Sequence, residues 1–265
     1  MLQASLPAFL ATHPDAILVE VAEAKGSTPR EAGAFMLVTA EQLLGTIGGG
    51  QLEFMAIEHA RRMLAAGETH ATLDVPLGPK IGQCCGGRTE LSLRRIDAEL
   101  HAALLARQDA MERGYPDVFV FGAGHVGAAL AQALSPLPLA VTMIETRDLG
   151  GDTLPAGIAL RRVAVPETEV ATIRSGGAAV ILTHDHALDF LIARQALARS
   201  DLRYVGMIGS ATKRATFARF LTREDAPADL IDRLILPIGG TGLRDKRPAV
   251  IAALVAAELL TVLLG

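Results

Sequence analysis

The sequence predicts an α/β fold in two parts. A mixed α+β domain spans about residues 1–112, and a Rossmann-type parallel-sheet domain spans about 116–265. Three observations carry this. The chain has 265 residues, too many for most single cores and enough for two modest ones. Gly114-Tyr115-Pro116 breaks both helix and ladder near the middle. Beyond it, strand patterns alternate with helix patterns, which implies a parallel sheet with right-handed crossovers.

In the first part, residues 17–23, 34–38 and 43–47 read as strands. Leu52, Met55, Ala56, Ala60, Met63 and Leu64 recur at helical spacing, so a helix should run from Gln51 to about Ala66, where Gly67 ends it. Strands near 71–75 and 90–95 follow, with a glycine-rich loop between them, and a helix from about Asp97 to Glu112 closes the domain. In the second part, strands are expected at 117–121, 139–145, 178–182 and 203–208, and helices at 125–134, 167–174, 187–199 and 211–222. The apolar segment from Pro248 to Gly265 reads as a buried or oligomer-facing helix. Glu258 interrupts it, and it is short for a membrane span.

Composition narrows the function classes. Hydrophobic residues make up 50 % and charged residues 20 %, so the chain should fold. A net charge of −4 argues against a general nucleic-acid binder, whose affinity comes mainly from phosphate neutralisation. Tryptophan is absent and aromatics are 4 %, which leaves little for base stacking. The two cysteines, Cys84 and Cys85, are adjacent and cannot make a disulfide framework or a four-ligand zinc site. No signal peptide is visible, so the expected location is cytoplasmic, without a membrane partner.

The sharpest motif is Gly122-Ala123-Gly124-His125-Val126-Gly127, with a strand before it and an alanine-rich helix after. Such glycines permit the tight turn, the approach of a phosphate and close helix–strand packing, and the helix N-terminus favours an anion. Glu145, at the end of the second strand, has the position of a ribose-binding acid. Three more loops should reach the same edge of the sheet: Glu145-Thr146-Arg147-Asp148, Thr183-His184-Asp185-His186, and Gly206 to Ser210. Lys213 and Arg214 follow in the first turn of a helix. There they either flank a bound anion or are solvated surface charges. His184 and His186 alternate as two metal ligands would, but no third ligand is in obvious reach. Hydrogen bonding of a polar ligand by His184 and Asp185 is the simpler reading.

The first domain has three unusual loops. Gly26-Ser27-Thr28-Pro29-Arg30 sets Arg30 on a rigid turn, suited to a phosphate or carboxylate. Gly48-Gly49-Gly50, ahead of Gln51, is entropically costly and can form an anion-binding nest. Gln83-Cys84-Cys85 lies between glycines. The thiols there are either small core hydrophobes or exposed and able to meet a soft metal or accept sulfur.

Taken together, GSTPR, GTIGGGQLE, GQCCGG, FGAGHVG, THDHALD, YVGMIGSATKR and the LPIG-to-AAELL tail resemble the XdhC/CoxI family of xanthine dehydrogenase accessory proteins, over nearly the whole chain. The resemblance implies a protein that is not itself an enzyme. It would bind the molybdenum cofactor, a molybdenum–pterin dithiolene with a phosphate tail. It would hold the cofactor while a cysteine desulfurase supplies the terminal sulfur, and pass it to the molybdenum subunit of apo xanthine dehydrogenase. Arg30 and the helix N-termini suit the phosphate, and Gln51 and Gln83 suit the pterin edge. Other branches of the family carry a cysteine where this chain has Gln51, which leaves Cys84 and Cys85 as the candidates for molybdenum. NAD(P) is not expected. The apolar last helix points to a homodimer. The competing readings are an NAD(P)-dependent oxidoreductase, for which no paired proton donor is found, and a ligand-sensing protein without catalysis.

Overall fold

A computed structural model describes residues 5–48, 50–78, 86–148, 154–240, 242–243 and 245–265. Gly49 and the whole Gln83-Cys84-Cys85 stretch, on which several sequence expectations fall, lie outside the described residues. The chain divides into two compact units, Met1–Asp109 and Ala110–Gly265.

The first unit is built on an antiparallel sheet: β1 (Ile17–Lys25), β2 (Phe35–Val38), β3 (Leu43–Gly45), β4 (His70–Pro76) and β5 (Arg88–Arg95), in the order β3-β2-β1-β5-β4. β1 is central because its Ile17, Leu18, Val19 and Val21 are buried. A bulge between Val21 and Glu23 shifts its register against β5. Alternate residues of a strand face opposite ways. Ile17, Val19 and Val21 accordingly face α2 (Gly50–Ala66), which contributes Leu52, Ala56, Ala60 and Met63. Leu18 and Leu37 face the other side, against α1 (Leu6–Thr12) and α3 (Ala98–Arg113), through Phe9, Leu10, Leu100 and Leu104. Ser5 caps the seven-residue α1, a helix too short for periodicity to reveal. Arg107 of α3 ties that layer to the sheet by donating to Glu20 Oε1 at 2.6 Å and to the Gly33 carbonyl at 2.5 Å.

The second unit is a parallel sheet: β6 (Asp117–Phe121), β7 (Ala140–Glu145), β8 (Ala159–Arg162), β9 (Ala178–Ile181) and β10 (Tyr204–Met207), in the order β10-β9-β6-β7-β8. Read from β6, this is the doubly wound Rossmann order. β6 is buried along its whole length, as expected of a strand covered on both faces. One face packs under α4 (His125–Leu134) and α7 (Pro248–Leu264), the other under α5 (His186–Ala198) and α6 (Ala211–Arg223). Edge strand β8 is exposed at every position, so no burial pattern announces it. The segment expected as a helix over 167–174 is a 3-10 helix, Pro166–Thr172.

α7 lies against α4 and buries Ala252, Val255, Ala256, Leu259 and Leu263. Each large side chain among these contributes about 1.5–3 kcal/mol. The odd acid in this helix, Glu258, accepts a 2.8 Å hydrogen bond from the buried Tyr204 hydroxyl. Burial and the neighbouring Glu258 charge push that hydroxyl far above the usual phenol range. Among the described residues, no helix is long and apolar enough to cross a membrane.

Candidate functional site

In the second unit the chain leaves β6 toward β7 on one side, while β9 lies on the other. The carboxyl ends of β6 and β9 therefore flank the crevice where open α/β sheets take their ligands. The turn from Gly122 to Gly127 fills this point, and its three glycines do different work. Gly122 has a φ of +110°, and a Cβ there would stand 2.6 Å from the Leu182 carbonyl oxygen. A Cβ on Gly127 would overlap the Gly122 carbonyl oxygen. These two glycines close the turn against its neighbours. Gly124 has a φ of −68°, is exposed, and has nothing within 4 Å of where a Cβ would be. It is the N-cap of α4 and offers no side-chain cap. The first-turn amides of α4, with the exposed His125 at their head, are thus left for an external acceptor.

Glu145, placed by sequence as a ribose acid, is engaged within the protein. Its side chain is 3 % exposed. One oxygen accepts from the Ala123 amide at 2.9 Å and from Arg147 Nη2 at 3.0 Å. The other accepts from the Thr146 amide at 2.9 Å and from the Arg147 amide and Nε at 3.1 Å each. Burial pushes the carboxyl up, but the hydrogen bonds from Arg147 and from the amides of Ala123, Arg147 and Thr146 outweigh it and hold it at about 2. A ribose hydroxyl would have to displace one of these donors. Because the folded value lies below the ordinary glutamate value of about 4.3, the stabilisation is complete above about pH 5 and is lost as pH falls toward 2. Glu145→Gln should therefore be less stable than the parent at neutral pH, with the gap closing between pH 5 and 2 in urea titrations. A gap independent of pH would refute the assignment.

The β9 and β10 loops meet through a buried ion pair. Lys213, expected either at an anion or in solvent, is buried. Its ammonium donates to Asp189 Oδ2 and, at 2.9 Å, to the Ile208 carbonyl. Asp189 Oδ1 accepts from the Thr183 amide at 3.1 Å and from its hydroxyl at 2.7 Å. The positive charge of Lys213 is thus spent on a carboxylate of the protein. Arg214 likewise donates to the Leu234 and Ile231 carbonyls. Asp185 is the N-cap of α5, accepting from the Ala187 amide at 2.7 Å, and Ser210 is the N-cap of α6. His184 and His186 are exposed. Among the described residues, no group of three or more His, Cys, Asp or Glu side chains is placed to hold a metal ion.

Sequence reasoning missed Asp189. The signal was available: it shares the helix stripe of Ile192, Ala193 and Ala196, and a carboxylate on an apolar stripe needs a buried partner.

In the first unit the structure brings the loop of residues 26–30 against Gly48 and Gly87. A Cβ on Gly48 would stand 2.7 Å from Arg30 Cγ and 3.1 Å from Pro29 Cβ, and one on Gly87 would overlap the Ser27 carbonyl oxygen. The amides of Ile47 and Gly48, the start of the expected nest, both donate to Glu53 Oε1 at 3.1 Å, and Thr46 donates to the same oxygen. A side chain of α2 thus already serves as the anion there. Gly50 and Gln51, in the first turn of α2, are exposed, as is Arg30.

The second unit is thus a Rossmann unit whose turn at the switch point is open, the place where sheets of this class take their ligands. Residues 118–259 match the XdhC Rossmann domain and residues 9–76 match the XdhC and CoxI family, so the chain belongs to the XdhC/CoxI family. The uncharacterized protein YqeB of Escherichia coli (strain K12) is 28 % identical over 256 residues, covering 92 % of this chain and 43 % of YqeB. The chain thus spans less than half the length of that relative. A Bacillus halodurans crystal structure described as a xanthine dehydrogenase superposes with a TM-score of 0.75 over 98 % of this chain and 96 % of that one. At 18 % identity, that likeness concerns the fold.

Proposed function

We propose that this chain is an accessory protein of xanthine dehydrogenase maturation. In this reading it binds the molybdenum cofactor during sulfuration by a cysteine desulfurase and delivers it to the molybdenum subunit of the apoenzyme, acting as a homodimer without catalysis of its own. Family membership supports the maturation role. The observation that carries the ligand class is the open space at Gly124, before the uncapped first turn of α4, where a phosphate tail would be received. Within the second unit, the exposed His125 beside the α4 amides is a further donor to a phosphate. When bound, the cofactor brings the molybdenum that is to be sulfurated. Cys84 and Cys85 are its proposed soft ligands. The oxidoreductase reading is less favoured, since Glu145 has its oxygens committed to the protein.

Purified protein should retain molybdenum cofactor through gel filtration and should not oxidise NAD(P)H with any small substrate. Cys84→Ala and Cys85→Ala should lose retention or transfer to the apoenzyme while keeping their melting temperature. Robust NAD(P)H oxidation, or failure of the parent to bind cofactor, overturns the proposal.

A further inference from the structure

The open turn at Gly124 has two flanks, and they differ. On the β7 side, where a dinucleotide would place its ribose, Glu145 is sealed by Arg147 and by the Ala123 amide. The pair is neutral as a unit, so this flank offers neither a free carboxylate to a diol nor an uncompensated cation to a phosphate. On the other side, at the carboxyl end of β10, lies a cleft of about 370 Å³. That falls within the usual range for small-ligand pockets, about 300–1,000 Å³. Its walls are apolar: Ile208 after β10, Pro237 and Ile238, and Ile251 and Leu254 of α7. Leu243, 55 % exposed, the exposed ammonium of Lys246 and Asp245, whose carboxylate is paired with Arg247, also line it.

The cleft shares an edge and a face with the turn. Ile208, Ile238 and Ile251 join the same apolar cluster that α4 packs into, so the cleft and the α4 N-terminus lie on one face of the sheet. β6 is separated from β10 by β9 alone. Two strand spacings amount to about 10 Å. A ligand anchored by a phosphate at the turn therefore reaches the cleft with a short spacer.

We infer that the cleft beside β10 receives a planar fused heterocycle whose phosphate tail lies at the Gly124 turn, and that the β7 flank is not a ribose subsite. This rests on the cofactor-binding reading above and adds where the ring lies. Apolar walls suit the faces of a pterin-like ring. The Gly239-Gly240 backbone bordering the cleft offers amide groups to heteroatoms at its edge.

The test uses the full chain and three probes: molybdenum cofactor, a fluorescent pterin 6-methyl phosphate, and ADP-ribose. The parent should bind the first two, and ADP-ribose should not displace the pterin phosphate. Ile251→Trp fills the cleft, and Leu243→Asp puts a carboxylate at an exposed site where folding is not at stake. Each should weaken pterin phosphate binding at least tenfold. If the parent binds molybdenum cofactor but both variants bind pterin phosphate as tightly as it does, the ring location is wrong while the cofactor reading stands. Displacement by ADP-ribose at equal concentration overturns the assignment of the β7 flank. If the parent binds neither cofactor nor pterin phosphate, both readings fall.

Discussion

Lys213→Met is expected to lower folding stability by about 3–5 kcal/mol, because it strands a buried carboxylate without its counter-ion. Asp189 is fully buried and Lys213 nearly so, and each is the other's charge partner. For a unit of this size such a loss corresponds to a fall in melting temperature of roughly 6–20 °C. The double variant Lys213→Met/Asp189→Leu should be more stable than Lys213→Met alone, since an apolar pair of similar bulk removes the uncompensated charge. It will not recover everything, because the Thr183 amide and hydroxyl lose their acceptor. Urea denaturation of the two single variants and the double variant closes the cycle. Strictly additive losses would mean that the pair is not coupled.

The second large effect separates the glycines of one turn. Gly127→Val should cost about 3 kcal/mol or more, since even its Cβ would collide with the Gly122 carbonyl and α4 would have to move off β6. Gly124→Val should cost no more than about 1 kcal/mol, the difference between a tolerated N-cap residue and a poor one. Its backbone suits any L-residue, and its Cβ meets nothing. Its side chain does occupy the space before the α4 amides, so cofactor affinity should fall at least tenfold. Thermal melts and cofactor retention measured side by side decide it. A Gly124→Val protein that melts and binds like the parent would make the turn purely structural.

Much of this fold was legible in the sequence because the strands that matter are buried. β6, Asp117–Phe121, and the six-residue step from its end to Gly127 follow from apolar runs and glycine placement alone. What stayed hidden has a physical cause in each case. β8 is an exposed edge strand of Ala-Leu-Arg-Arg, held by pairing with β7 and not by burial. The 3-10 turn at Ala228–Arg233 shows no periodicity to find. At the candidate site, residue types were readable but their partners were not. Glu145, Lys213 and the Gly48 loop all looked like ligand groups, and each is answered by another part of the chain: Arg147, Asp189 and Glu53 respectively. Charge complementarity within a fold depends on tertiary neighbours, which spacing does not reveal.

The position of the central strands has a consequence for how the chain acquires its structure. β1 is the middle of its sheet, yet Ile17 pairs with Arg95 and Lys25 with Arg88. β6 is the middle of the other, yet Val118 pairs with Ala178 and Phe121 with Ile181. In both units, then, the central strand is made first, and one of its two flanking partners emerges some 60 residues or more later. Such non-local pairing slows folding, because loop-closure entropy is spent before the contacts repay it. As the ribosome releases the chain, β1 and then β6 each spend an interval with one edge unpaired, the condition under which strands add to other chains. A protein arranged in this way folds most safely at low concentration or under the cover of a general chaperone.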